Sequence, residues 1–540
     1  MSKVTIAYED IAVGAAEAAT PSAADIQSFC TAADILADGK APKAATLEQD
    51  YWRLDGTWPL FPETPAESKF GIWSNAMTGS DKAFTVPQTV VIVLSSQFSG
   101  TGITVYFDEH GPTWCTDMTV AWYRDNILLS SVDYAPTGPE YFCKNTVTSY
   151  NKIVLTFRAM SAAGRYLKLS RLKFGRTKVF EPREYKDLSM YQGISLIADT
   201  TESNSLAVTL RNDLEDIDFL FQSKQKLTVK EDESLIGVWY IDTHDQVGSK
   251  SYDITGIDLI ELSGRLPDHM GGVYDGITAE ALFAEIYGDA IPYVLDDRLK
   301  PVQLYGYLPR ATPKDNAHQA AFALGAVLDD SRHDCIYIAP AEAGAATDSF
   351  TGARAYDKGK VHTESMITRV DLTVHRYAPG TESIQLYSQA LSGTETICFD
   401  EPICSLAISG GTLGAHNANY AVISGTGGTV SLNGVKYSHT TKVISRSNPL
   451  KTAGDADNPR IIEDMTLVSD ANGAALLDEL YNYYLRVRTV SGKVVTGENY
   501  PGQRVQMETI VGDIVTGSII NMDWHISAKQ AADVDVLSDV

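Results

Sequence analysis

Ten histidines, six cysteines and a few acidic doublets are the groups in this chain able to hold a metal, move a proton or attack a bond. Their spacing assembles none of the familiar machines. No H-E-x-x-H run sets two imidazoles on one helical turn for zinc, no G-x-S-x-G presents a serine at a strand-to-helix elbow, and neither a Walker A loop nor an EF-hand loop occurs. The histidines, among them His110, His269, His318, His375 and His525, stand singly, which fits packed or solvated rings better than a catalyst. Cys30, Cys115, Cys143, Cys335, Cys398 and Cys404 are scattered, with no C-x-x-C and no zinc spacing, and read as reduced structural thiols. Asp329-Asp330 and Asp455-Ala-Asp457 offer carboxylates of the kind that hydrolyse glycosides, yet both pairs fall in turns, where aspartate is favoured for local hydrogen bonding. Gly425, Gly427 and Gly428 precede no helical pattern and so make no phosphate-cradling loop; Ser409-Gly-Gly and Ser424 to Val430 read as turns. The sequence therefore nominates no catalytic residue, no metal ligand and no cofactor, and an enzyme is not expected. What remains is recognition: Trp114, Trp122 and Tyr123 have rings able to stack on sugar faces, against the general tendency of aromatics within strands to be core.

The chain has 69 acidic and 44 basic residues, a formal net charge of −25. That balance excludes a DNA-gripping surface, because phosphate binding draws its affinity from Lys and Arg. It also suits a wall past which DNA must slide without sticking. No stretch reaches about 18 uninterrupted apolar residues, so no membrane span is expected. The first residues lack the apolar core of a signal peptide, which points to synthesis in a cytosol. A chain of 540 residues is too long for one core and implies about three to five domains.

Several kinds of element must carry these groups. Residues 1–86 begin with a strand-like Val4 to Tyr8, pass through an Ala-rich stretch expected as an arm, and end in the aromatic-rich Thr46 to Pro62. Residues 87–177 are purely β in texture, with runs such as Thr89 to Leu94, Met118 to Tyr123 and Lys152 to Phe157 at intervals that suit a jelly-roll-like sandwich. Residues 178–262 hold a meander able to close into a small barrel. In 263–345 the period turns helical from Thr278, through Leu282, Phe283 and Ile286, and again from Pro313 to Leu324 behind Thr312 as N-cap, ending at Gly325. Two apolar runs, Ala326 to Leu328 and Cys335 to Ile338, then flank a polar turn as a hairpin. Residues 346–445 are β-rich, and 446–540 carry a helix over Ala474 to Val487 and closing strands. The class is mainly β with α+β parts, multidomain: a β-sandwich, two small β-barrels and an α/β element.

Ile236-Gly-Val-Trp-Tyr-Ile-Asp242, Gly271-Gly-Val-Tyr274, Phe322-Ala-Leu-Gly-Ala-Val-Leu-Asp329 before Ile336-Tyr-Ile338, and Pro501-Gly-Gln-Arg-Val505 through Glu508 to Gly512-Asp-Ile-Val-Thr-Gly-Ser-Ile519 resemble, in order and texture, the baseplate hub or tail-associated proteins of tailed phages and phage-like particles of Gram-positive hosts. The stretch Leu47-Glu to Leu54-Asp-Gly56 is similar to that family's N-terminal region. Phe98-Ser-Gly100, Ile103 to Phe107, Trp122-Tyr123, Tyr150 to Val154, Arg165 to Leu167 and Leu172 to Gly175 resemble galactose-binding-type carbohydrate modules of phage tail proteins. The resemblance implies a structural virion protein at the tail tip, with two barrels per chain and a homotrimer facing a six-fold tube. Its partners would be the tail tube or distal tail protein, the tape measure protein, a central spike or tip protein and, through the sandwich, host cell-wall glycan. A free-standing glycan-binding adhesin and a wall-degrading tail enzyme are the rival readings.

Overall fold

The computed structural model of the chain describes residues 3–37, 39, 41–59, 69–111, 113–211, 224–526 and 531–539. Its residues fall into two compact units, one of Ile6–Phe180 with Asn212–Leu227, the other of Met1–Thr5, Glu181–Arg211 and Thr228–Val540. Of the aromatic-rich stretch, residues 60–62 lie outside the described residues.

The chain opens with β1 (Val4–Ile11), α1 (Ala15–Ala18) and β2 (Ala19–Ala23), then runs through β3 (Ile72–Met77), β4 (Ala83–Phe107), β5 (Cys115–Arg124), β6 (Ile127–Tyr134), β7 (Glu140–Met160), β8 (Tyr166–Lys173) and β9 (Gly175–Phe180). Seven of these form one antiparallel sheet in the order β3-β8-β4-β7-β5-β6, with β2 added to β4. Alternation decides which side chains go inward. Val90, Ile92 and Leu94 of β4 are buried, whereas Thr89 and Val93 are exposed. Register then lines these residues up across strands: Ile92 faces Ile153, which faces Trp122, and Val90 faces Leu155, which faces Val120. Both halves of β4 feed the same core, since Ile103, Val105 and Phe107 join Val90 and Ile92 in one cluster, so a single bulged sheet wraps that core. The expected N-terminal arm is built into the unit: β2 pairs with β4, and Ala15 and Ile35 sit in the core.

In the second unit come β10 (Tyr185–Gly193), β11 (Ser205–Arg211), β12 (Lys226–Glu231), β13 (Ser234–Gly248), β14 (Ser251–Ile257), α2 (Leu259–Ser263), β15 (Gly272–Thr278), α3 (Ala279–Tyr287), β16 (Tyr293–Leu295), β17 (Gln303–Leu308), α4 (Pro313–Ala323), β18 (Val327–Asp329) and β19 (Ile336–Ala339). They are followed by β20 (Asp348–Phe350), β21 (Lys360–Thr363), β22 (Arg369–Cys398), β23 (Ile403–Ser409), β24 (Thr412–His416), β25 (Tyr420–Ser447), β26 (Pro459–Ile462), α5 (Gly473–Tyr484), β27 (Arg488–Val494), β28 (Arg504–Glu508), β29 (Ile514–Ile526) and β30 (Ala532–Ser538).

The strands expected to close two separate barrels instead belong to one open sheet. Among the described residues they run β21-β27-β30-β29-β10-β11-β14-β13-β12, with β28 on β29. The seam is β10 against β29, from Leu188 opposite Ile526 to Gly193 opposite Asn521, and it takes up one of the two edges that each group would need to close on itself. The β-rich segment expected in the second barrel mostly stands apart, as a five-stranded sheet around the antiparallel pair β22 and β25, which stay paired, across three register shifts, from Arg369 opposite Ser447 to Cys398 opposite Tyr420. Ser424 to Val430, expected as a turn, is inside β25; the ladder accommodates its glycines with a bulge opposite Ala390 to Ser392. Ser409-Gly410 is a turn, with Gly410 at φ 73°.

Helices in the α/β part start where their caps dictate. Thr278 Oγ1 accepts from Ala281 N at 3.3 Å, and Thr312 Oγ1 from Asp315 N at 3.2 Å with Pro313 at the first helical position. Leu282, Phe283 and Ile286 of α3 and Ala317, Ala320 and Ala321 of α4 meet in one core with Ile336 and Ile338 of β19. Gly325 follows α4 at φ 62°, a left-handed conformation that lets the chain turn directly into β18. The strands β18 and β19 pair antiparallel as expected, and β16 adds to β19 in parallel.

Candidate functional site

Where β18 ends, Asp329 to Asp334 turn the chain back, and this turn is held from behind. Asp330 is buried and its Oδ2 accepts from the backbone N–H groups of Leu259 at 2.9 Å and Ile260 at 3.3 Å, the orphan donors at the start of α2. Its Oδ1 accepts from Asn204 Nδ2 at 2.6 Å. Asp258, the N-cap of α2, accepts from Glu261 N at 2.7 Å and from Asn204 N. Burial is the main cause that pushes both carboxyls up, Asp258 well above the ordinary range, with Asp330 as second cause, and Asp330 to about 6. These two aspartates are structural, capping the start of α2 and fixing the turn.

In front of the turn lies a cavity of about 530 Å³, walled by Ile194, Leu196, Val327 and Pro501 and carrying Asp329, Arg332, His333, Glu342, Glu498 and Tyr500 on its lining. Arg332 adopts φ 58°, a strained choice for a side chain with a Cβ. Its reward is three bonds: Nε to Asn499 O at 2.8 Å, Nη1 to Leu235 O at 3.1 Å and Nη2 to Gly497 O at 2.9 Å. The guanidinium thus ties three chain segments together, and burial holds it below its ordinary value. Tyr500 donates to Glu342 Oε1 at 2.6 Å and is pushed up to about 12 by burial and by that bond. Ser234 donates to Glu498 Oε1 at 3.0 Å. Asp329 Oδ1 accepts from Ser331 N at 2.8 Å, and burial, followed by the charges of Asp330 and Glu342, raises its carboxyl to about 7. The His333 ring lies on Tyr337 with centroids 4.1 Å apart. The arrangement can grip a ligand by apolar contact and negative charge.

The three rings singled out for sugar stacking are not brought together. Trp122, only 1% exposed, is buried in the core row next to Ile153 and Ile92, so no sugar can reach it. Trp114 packs half-buried against that core, and its backbone N–H donates to Ser161 Oγ at 3.2 Å. Tyr123, one residue on in β5, points to the opposite face, with Lys152 Nζ 5.5 Å from its ring centre. An enclosed charge of this unit is Lys168, 2% exposed, bonded to Glu48 and 3.5 Å from Asp108, and lying over the rings of Tyr51 at 3.2 Å and Trp73 at 4.6 Å.

Single histidines turn out to be pegs. His110 Nε2 meets Ala41 O at 2.6 Å, His318 Nε2 meets Ala198 O at 2.6 Å, and His269 contacts Glu285 at 3.3 Å and Asn316 at 2.9 Å. His375 is different: across the β22–β25 pair its Nδ1 lies 3.0 Å from His439 Nε2, and Tyr377 stacks on His439 at 4.4 Å. No local signal announces this pair, because its members are 64 residues apart. The side chain of His525 lies outside the described residues. Among the described residues no group of three or more His, Cys, Asp or Glu is placed to hold a metal ion, and no helix is long and apolar enough to cross a membrane.

No family model and no curated protein matches the chain. Solved structures do. The solved structures it resembles include phage tail proteins. The tail protein from Neisseria meningitidis MC58 is 11% identical with a TM-score of 0.41, covering 67% of this chain and 94% of its own. The 43 kDa tail protein of prophage MuSo2 from Shewanella oneidensis is 11% identical with a TM-score of 0.41, covering 66% and 94%. The prophage tail protein gp18 from Listeria monocytogenes EGD-e is 10% identical with a TM-score of 0.39, covering 66% and 91%.

Proposed function

We propose that this chain is a structural protein of a phage or phage-like tail, the hub that adapts a six-fold tail tube to the distal tip. The observation that carries the reading is where the hub-like segments fall. Ile236 to Asp242 lie in β13, Arg504 to Ile519 form the β28–β29 hairpin, and Phe322 to Asp329 run from the end of α4 through β18, all within one unit. Arg332, just past the last of these, bonds the carbonyl of Leu235 beside the first. Segments that share only texture in the sequence are thus neighbours in space.

The two β groups on either side of the β10–β29 seam take the place of the two barrels. A chain with two comparable β groups can face a six-fold ring as a trimer without any subunit changing conformation, which is the advantage of a homotrimer here. The chain would stand in the virion between the tail tube or distal tail protein, the tape measure protein and a central spike, with an acidic channel wall that lets DNA slide. The sequence resemblance further implies a Gram-positive host. No catalytic step belongs to this role. An affinity-tagged chain expressed with the tail genes should copurify with tube and tape measure proteins. Recovery alone, together with release of fragments from peptidoglycan or teichoic acid, would replace this reading with that of a wall-degrading enzyme.

A further inference from the structure

We propose that the cavity in front of the Asp329 turn is a socket for the ammonium or guanidinium group of a lysine or arginine carried on an extended segment of a partner protein. The partner's being a protein rests on the assembly reading above; the cationic specificity rests on the cavity alone.

Charge is the first argument. Three carboxylates, Asp329, Glu342 and Glu498, line the cavity with a single cation, Arg332. That guanidinium spends its hydrogen bonds on three backbone carbonyls and acts on Glu498 through charge alone, as Arg504 does on Glu342. Glu342 and Glu498 are held in place by Tyr500 and Ser234, and these bonds consume one oxygen each without neutralising them. Asp329 has the backbone N–H of Ser331 and two acidic neighbours. A half-buried carboxylate with acids beside it and empty space before it is short of one positive charge.

Shape and chemistry narrow the class. The volume of about 530 Å³ is in the range of ligand sites, and the walls of Ile194, Leu196, Val327 and Pro501 suit an aliphatic stem. The rings of His333, Tyr337 and Tyr500 add faces for a cation. A bare metal ion would want oxygens converging at one point, and no group of three is so placed among the described residues. An anion would meet three like charges.

The test uses the full chain and four blocked pentapeptides, acetyl-Ala-Ala-X-Ala-Ala-amide with X as lysine, arginine, norleucine or glutamate, read by calorimetry and by saturation-transfer NMR. Lysine and arginine peptides should bind and the other two should not. Capture of a cation needs the Asp329 carboxylate charged, so affinity should rise about tenfold from pH 6 to pH 8. The groups facing that carboxylate are Asp330, Glu342, Arg332, His333 and Tyr500; of these Asp330, raised to about 6, and His333 also titrate nearby, and the ionisation of the one and the loss of charge of the other on the way up add to the same sign. Asp329→Asn should weaken binding and remove most of the pH dependence, while Asp297→Asn, a control at an exposed carboxylate outside the cavity lining, should keep both. An Asp329→Asn chain that unfolds would be replaced by Glu342→Gln, for which weaker binding with the pH slope retained is expected. Equal binding of the norleucine peptide, preference for glutamate, or no binding by any peptide would overturn the socket. Cation-selective binding in a chain that never copurifies with tail proteins would leave the socket standing and overturn the assembly reading instead.

Discussion

The two units each enclose acidic groups, and they treat them in opposite ways. In the sandwich unit Glu48 and Asp108 have Lys168 between them, its ammonium covered by Tyr51 and Trp73, and the whole centre is closed to solvent. In the other unit Asp329, Glu342 and Glu498 line open space, and the nearby Arg332 spends its donors on carbonyls. A buried charge that is neutralised from within serves the fold, by pinning the aromatic-rich stretch to β8 through Lys168. A charge only partly compensated beside a cavity costs stability, and in the proposed socket a cation from outside the chain offsets that cost.

The sharpest way to break this contrast is Lys168→Ala. It leaves two carboxylates buried without a cation and should cost about 3–5 kcal/mol, seen as an early transition of the sandwich unit in urea. If the loss is under about 1 kcal/mol, the centre is not closed in the way described. Trp122→Ala should cost about 3–5 kcal/mol by opening a cavity beside Ile153, and a folded variant with unchanged midpoint would mean that the ring is free to bind. Asp330→Ala orphans the amides of Leu259, Ile260 and Asn204 and should cost about 2–3 kcal/mol, reporting on the other unit.

Asp329→Asn should be the mildest of the four, and its sign is opposite. The folded carboxyl, raised to about 7, holds a proton that the unfolded chain has released above about 4. The folded state therefore binds more protons in that window, and stability falls as pH rises from about 4 to 7. The asparagine variant should lose that part of the slope and be the more stable protein at pH 8, by thermal melts at both pH values. The histidine pair gives a check in the other direction. His375 is held below its ordinary value by burial first and by His439 second, so the folded state resists protonation and stability should fall as pH drops below about 6.5. His439→Gln should soften that fall.

How much of this was legible in the sequence follows from the range of the interactions. Helices α3 and α4 were readable because Thr278, Thr312, Pro313 and Gly325 act within a few residues of themselves. The strand texture of β4, β5 and β7 was readable from period-two alternation. Closure was not, because whether β10 ends a barrel or continues into β29 depends on residues more than 300 positions away. The run Ser424 to Val430 misled for a related reason: glycine-rich composition signals a turn locally, while pairing with β22 on both sides of the bulge at Gly427 and Gly428 keeps it in the strand. Asp329 and Asp330 were visible as a doublet in a turn. That one caps a helix and the other lines a cavity is decided by Asn204, Leu259 and Glu342, none of which is near in sequence.

The central claim is that the unit of β10 to β30 is a hub with two comparable β groups on either side of one seam. Its most direct test is the symmetry of the chain inside the intact particle, obtained by imaging purified particles without imposed symmetry. The account expects three copies on the tail axis, with the β groups flanking the β10–β29 seam meeting successive subunits of a six-fold ring and acidic side chains toward the channel. Six copies, a single copy, or a channel lined with lysine and arginine would contradict it.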